Sequence, residues 1–141
     1  MDCPIEFSVS SSSTSGINTI WDAKFEKSSF KCAIPPCFEG PGNGASPEDL
    51  YALSLLNCFI ATFKVIAEKS RLNYEKIEGK AKLVVDQDSN GNPWMANIIL
   101  DYILFSPDNR SRAERILKKV ETQSMVINSV KSKVEIHWSI A

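Results

Sequence analysis

Histidine occurs once in this 141-residue chain, as His137, and no arginine stands before Arg71. A structural zinc shell takes four nitrogen or sulfur ligands. Cys32-x4-Cys37, with the one histidine far away in sequence, does not make such a shell, so neither a metal nor another cofactor is expected. An excess of charge of either sign is also missing. Sixteen Lys and Arg oppose seventeen Asp and Glu, for a net charge of −1, which offers no field to a phosphate backbone. No stretch interleaves aromatic with basic side chains as nucleic-acid platforms do, so nucleic acid is not an expected partner.

Long uninterrupted apolar runs are absent too. The most apolar stretch carries Lys64 inside it and Glu48 and Asp49 before it, whereas a membrane span needs about 20 consecutive apolar residues; no membrane partner is expected. The opening MDCPIEF has an early acid and no apolar core of the signal-peptide kind. The expectation is a cytoplasmic protein, in which Cys3, Cys32, Cys37 and Cys58 stay free thiols rather than forming a disulfide framework. No internal repeat is present, and the serine tract near residue 10 is the sole low-complexity piece.

What is present is an ordinary globular composition, 43% hydrophobic and 23% charged, enough for one domain spanning residues 1–141. The chain is organised around Ser46 to Ala67, SPEDLYALSLLNCFIATFKVIA. Ser46 is an N-cap, Pro47 suits the first turn because its missing N–H costs nothing there, and Glu48 and Asp49 set negative charge on the positive helix end. From Leu50 onward the run is apolar almost all round, which predicts a helix buried on nearly every face. Cys58 lies in its middle.

Before that helix, Ile5, Phe7 and Val9 alternate with polar residues, as do Ile17, Trp21, Ala23 and Phe25, and the Ser10–Gly16 tract between them predicts a hairpin. Phe30, Cys32 and Ile34 predict a third strand, ended by Pro35-Pro36, with Cys32 as a small buried hydrophobe. After the helix, Glu75–Asp86 and Trp94–Phe105 read as two long strands joined through Asn90-Gly91, a hairpin-turn signal. Ile77, Ala81, Leu83 and Val85 fall on one face of the first. A second helix is expected from near Pro107-Asp108, with Ala113, Ile116, Leu117 and Val120 inward and Arg112, Arg115 and Lys119 solvated. Val134, Ile136, Trp138 and Ile140 then alternate along a last strand that points His137 outward. The fold class is α+β.

Particular residues on this plan carry a resemblance: Pro35-Pro36-Cys37-Phe38-Glu39-Gly40-Pro41-Gly42, Ser46-Pro47-Glu48-Asp49-Leu50, Cys58, and Asn128-Ser129-Val130-Lys131 before the closing strand. Together they resemble the OsmC/Ohr family of thiol-dependent hydroperoxide reductases over nearly the whole chain. The resemblance implies an OsmC-like fold of N-terminal strands, a buried central helix, a long β-hairpin, a second helix and a final strand, assembled as an intertwined homodimer. It further implies a peroxidatic cysteine at Cys58, a small hydrophobic peroxide as substrate, a thiol reductant as partner, and Glu48 and Cys37 as the other site positions. In the family a second cysteine resolves the sulfenic acid and an arginine, oriented by the glutamate, holds the thiolate. This chain has Ser124 at the first of those positions and Cys37 at the second.

Both departures have chemical consequences. A serine forms no disulfide, and burial without a cation disfavours a thiolate. Lys24, Lys27 and Lys31 are the nearby cations in sequence, and an ammonium on a flexible stem does not reproduce a guanidinium fork. One step follows from helix geometry alone: Glu48 and Cys58 are ten residues apart, a rise of about 15 Å, so a joint role requires two chains. Two readings stand. In one, Cys58 reduces organic hydroperoxides and is resolved by an external thiol or by Cys37, unless Cys37 packs as a small apolar residue. In the other, a catalytically degenerate dimer binds a small hydrophobic ligand or serves as a stress-associated protein.

Overall fold

The computed structural model describes residues 2–141 and has the expected mixed α+β architecture, with two three-stranded sheets and two α-helices. Two compact units divide the chain, one ending at Leu50 and the other running Tyr51–Ala141.

In the N-terminal unit, β1 (Val9–Ser12), β2 (Trp21–Phe25) and β3 (Ser28–Cys32) form an antiparallel sheet in that order. The first strand lies later than the hydrophobic alternation suggested. Ser10, Ser11 and Ser12 pair with Lys24, Ala23 and Asp22, while Phe7 is 91% exposed outside any strand. Strand pairing uses backbone groups that every non-proline residue carries, so a serine tract serves where neither sheet face has to bury it. Ile17 accordingly falls in the connecting loop. Ala23 and Cys32 are buried, the latter as the small hydrophobe expected. Pro36–Phe38 then forms a short 3-10 turn. Gly40 follows, where a Cβ would collide with the Ile34 carbonyl.

Helix α1 (Pro47–Lys69) starts on a reciprocal cap: the Asp49 N–H donates to Ser46 Oγ at 3.0 Å, and the Ser46 N–H donates to the Asp49 carboxylate at 3.0 Å. Two of the orphan donors at the helix start are thereby satisfied.

The C-terminal unit pairs β4 (Lys76–Gln87) antiparallel to β5 (Pro93–Phe105), then crosses through α2 (Arg110–Gln123) to β6 (Lys133–Ile140), parallel to β5. A helix is the usual vehicle for such a parallel crossover. The long β4–β5 turn is pinned by Asp88, whose carboxylate accepts the Asn90 and Asn92 N–H groups at 2.8 and 2.9 Å. Leu55, Phe59, Phe63 and Ala67 of α1 pack with Ile98, Leu100, Tyr102 and Leu104 of β5 and Ala113, Ile116, Leu117 and Val120 of α2. That spacing of four on α1 and two on β5 is one helix stripe against one sheet face.

Two expectations, for Val85 and Arg112, change in this unit. A register shift after Val84 leaves Ala96 of β5 as an extra residue and puts Val85 opposite Met95, and Val85 is 42% exposed instead of covering the core. Helix α2 begins at Arg110 on an Asn109 cap, just after the Pro107-Asp108 pair that announced it, and the Asp108 carboxylate accepts the Asn73 side-chain amide at 2.9 Å. Arg112 is half-buried and donates to the Ser70 carbonyl at 3.3 Å, so only Arg115 and Lys119 of the basic face are exposed. His137 points outward as expected. Helix α1 is long and apolar enough to cross a membrane by length and composition, but its Leu55–Ala67 stripe is core. The single chain buries that stripe alone and leaves Leu53 46% and Val65 54% exposed, so burial on nearly every face is not met within one chain.

Candidate active site

Cys58 sits between the buried stripe of α1 and its open face, half-buried and unpaired. Its neighbours are rigid. Phe59 stacks on Tyr102 with ring centroids 4.0 Å apart and planes 14° from parallel, and the Tyr102 hydroxyl donates to the Leu56 carbonyl at 3.0 Å. Burial, and secondarily the charge of Cys58, drives the Tyr102 phenol far above its ordinary value of 10.0. Tyr102 is therefore a neutral neighbour throughout the physiological range.

The other wall is the connection after α2. Ser124 leaves the helix in an extended conformation, fully buried, its hydroxyl donating to the Val120 carbonyl at 2.7 Å. The Asn128 N–H donates back to the Ser124 carbonyl at 2.9 Å, and Ile127 is buried as the anchor of a 3-10 turn, Ile127–Ser129. This arrangement brings the Val126 N–H onto Cys58 Sγ at 3.3 Å. A cleft of about 460 Å³, which Cys58 does not itself line, runs along Ala61, Thr62 and Val65 of α1 to Lys69, with Lys119 and Gln123 of α2 on its other side. Ala61, Thr62 and Val65 lie three, four and seven positions beyond Cys58, hence on the same helix face.

The remaining predicted positions lie in the N-terminal unit. Glu48 occupies the first turn of α1, where its Oε2 is buried without a hydrogen-bond partner among the described residues. Cys37 is exposed on the Pro36–Phe38 turn rather than packed as a small apolar residue, since two prolines end the strand and the turn that follows buries none of its residues. Because α1 runs unbroken from Pro47 to Lys69, Glu48 and Cys58 stay on separate turns. Among the described residues no group of three or more His, Cys, Asp and Glu is placed to hold a metal ion. Sequence reasoning missed Val126 and Tyr102: the first acts through its backbone, which no residue type announces, and the second reads as an ordinary inward strand residue.

A family model described as OsmC-like protein matches residues 40–139, and the chain belongs to the OsmC-like family. The uncharacterized protein YmaD of Bacillus subtilis (strain 168) is 23% identical over 108 residues, 74% of this chain and 72% of that protein. An OsmC-like protein of unknown function from Vibrio cholerae shares the fold at a TM-score of 0.80 and 17% identity, covering 98% of this chain and 100% of its own. An organic hydroperoxide resistance protein from Elizabethkingia anophelis does so at 0.77 and 17% identity, over 99% and 100%.

Proposed function

We propose that this chain serves in peroxide stress, as a homodimer in which the Cys58 thiolate reduces organic hydroperoxides. The observation that carries the reading is the part-exposed Cys58 sulfur with a main-chain N–H aimed at it. Family membership and the shared fold of an organic hydroperoxide resistance protein support the peroxide as substrate. The thiolate attacks the terminal, hydrogen-bearing oxygen of the hydroperoxide, the O–O bond breaks, the alkoxide takes a proton and departs as the alcohol, and Cys58 is left as a sulfenic acid. Two equivalents of an external thiol return it to the thiol, giving a disulfide and water. The cleft along Ala61, Thr62 and Val65 suits the apolar body of the peroxide.

The open α1 face with Leu53 and Val65 favours a second copy as its cover. With Ser124 committed to Val120, resolution falls to the external thiol or to the exposed Cys37 of a second copy. The binding-protein reading draws on the same cleft together with Ser124. Peptide mass spectrometry after one equivalent of organic hydroperoxide separates the two. Oxidation concentrated at Cys58 supports the enzyme; an untouched Cys58 beside an oxidised Cys3 supports the binding protein. On a non-reducing gel, a covalent dimer lost in both Cys58→Ser and Cys37→Ser assigns resolution to Cys37, and its absence assigns it to the external thiol.

A further inference from the structure

We infer that the main-chain amide of Val126 is the donor that stabilises negative charge on Cys58, filling the electrostatic place of the guanidinium that the first 70 residues lack. The inference rests on the proposed peroxide chemistry for its purpose, and on geometry for its content. The Val126 N–H stands 3.3 Å from Sγ. Val126 is the cap residue of the Ile127–Ser129 turn, and its carbonyl accepts the Ser129 N–H at 3.0 Å. Its own N–H is one of the donors that a helical turn leaves unpaired at its start, and Cys58 is its acceptor.

A backbone donor helps a reacting anion in proportion to how firmly it is held before the charge develops. Here the turn is held at four points. Ser124 Oγ donates to the Val120 carbonyl at 2.7 Å, Asn128 N–H to the Ser124 carbonyl at 2.9 Å, Asn128 Nδ2 to the Thr122 carbonyl at 2.9 Å, and Ser129 Oγ to the Met125 carbonyl at 2.8 Å. Ile127, buried, adds an apolar anchor. Ser124 thereby acquires a positive role: its hydroxyl ties α2 to the turn that aims Val126, at the position where a resolving cysteine is lost. An N–H donor bonds a thiolate far more strongly than a thiol, because the charged acceptor strengthens the hydrogen bond.

The ionisable side chain coupled to Cys58 is Tyr102 on β5, which burial keeps neutral across the range of the test. Asn57 and Phe59 on α1, and Ser124 and Met125 on the turn, carry no charge, and the charged groups of the adjoining cleft are Lys69 of α1 and Lys119 of α2, which are the same in every variant compared. The experiment is alkylation of Cys58 by iodoacetamide, followed peptide by peptide across pH, in wild type, Val126→Pro and Val126→Ala. Val126 has φ −64°, the angle a proline ring imposes, so the proline variant deletes the N–H without a new φ; because its Cδ takes the place of the hydrogen facing Sγ at 3.3 Å, the sulfur shifts, and the change of rate with pH, not the rate alone, is the readout. The result expected is alkylation about tenfold slower in Val126→Pro at neutral pH, closing as pH rises and all molecules become thiolate, with Val126→Ala behaving as wild type. A folded Val126→Pro with the wild-type profile, or an equal effect in Val126→Ala, overturns the inference.

Should Val126→Pro fail to fold, the wild type still decides. The Val126 amide resonance in a ¹⁵N correlation spectrum should move with the ionisation of Cys58 and stay still in Cys58→Ser. An amide that ignores that ionisation overturns the assignment. Neither readout involves peroxide, so failure of the proposed enzyme activity and failure of this inference are separate outcomes.

Discussion

The Tyr102 ring lies flat on Phe59, 4.0 Å between centroids, while its hydroxyl donates to the carbonyl of Leu56, two residues before Cys58. This one side chain joins β5 to α1 by an apolar face and a polar tip. Tyr102→Phe keeps the stack and loses the hydrogen bond, for an expected cost of about 1 kcal/mol. Tyr102→Ala loses both, for about 4 kcal/mol. Urea unfolding of the two variants should rank them in that order; equal costs would show that the stack contributes little.

The same residue sets an alkaline limit. The folded protein holds the Tyr102 phenol above its ordinary value of 10.0 through burial first and Cys58 second, so the neutral form is favoured by folding. The unfolded chain loses that proton at lower pH than the native one. This contribution is complete below about pH 10 and is lost as pH rises above it. Stability of the wild type should therefore fall above pH 10 more steeply than that of Tyr102→Phe, as measured by urea unfolding across that range.

Gly79 faces Tyr102 across the β4–β5 ladder. A Cβ there would stand 2.9 Å from Leu56 Cδ1 and 2.9 Å from two atoms of the Tyr102 ring. Gly79→Ala should destabilise by roughly 1–3 kcal/mol through overpacking, read as a lower denaturation midpoint. A neutral Gly79→Ala would mean that the Tyr102 ring is free to shift.

Much of this was legible in the residues, and the exceptions share a cause. The Ser46 cap, the apolar run from Leu50 and the Asn90-Gly91 turn are local signals, and the helix and the hairpin appear where they put them, although the helix buries one stripe, Leu55 to Ala67, and not nearly every face. The Ser10–Ser12 strand was hidden because backbone pairing, not side-chain pattern, makes it. Val85 is exposed beside a bulge whose extra residue belongs to β5, which no periodicity in β4 records. At the candidate site, Cys58 was legible from its place in the helix and from family resemblance. The amide that meets it comes from 68 residues away and belongs to a backbone, which sequence type does not reveal.

The open face of α1 gives a prediction about assembly. Leu53 and Val65 are 46% and 54% exposed on one chain, an apolar surface that a second copy would cover. Light scattering at micromolar concentration should give the mass of two chains, and Val65→Asp should shift it toward one. A folded wild-type monomer at that concentration would remove the dimer from the account.

Steady-state consumption of an organic hydroperoxide with dithiothreitol as reductant tests the central claim most directly. The account predicts catalytic turnover by the wild type, many equivalents of peroxide per chain, and loss of essentially all of it in Cys58→Ser while Cys3→Ser retains it. A wild type that consumes no more peroxide than Cys58→Ser would contradict the enzyme and leave a ligand-binding protein on this fold.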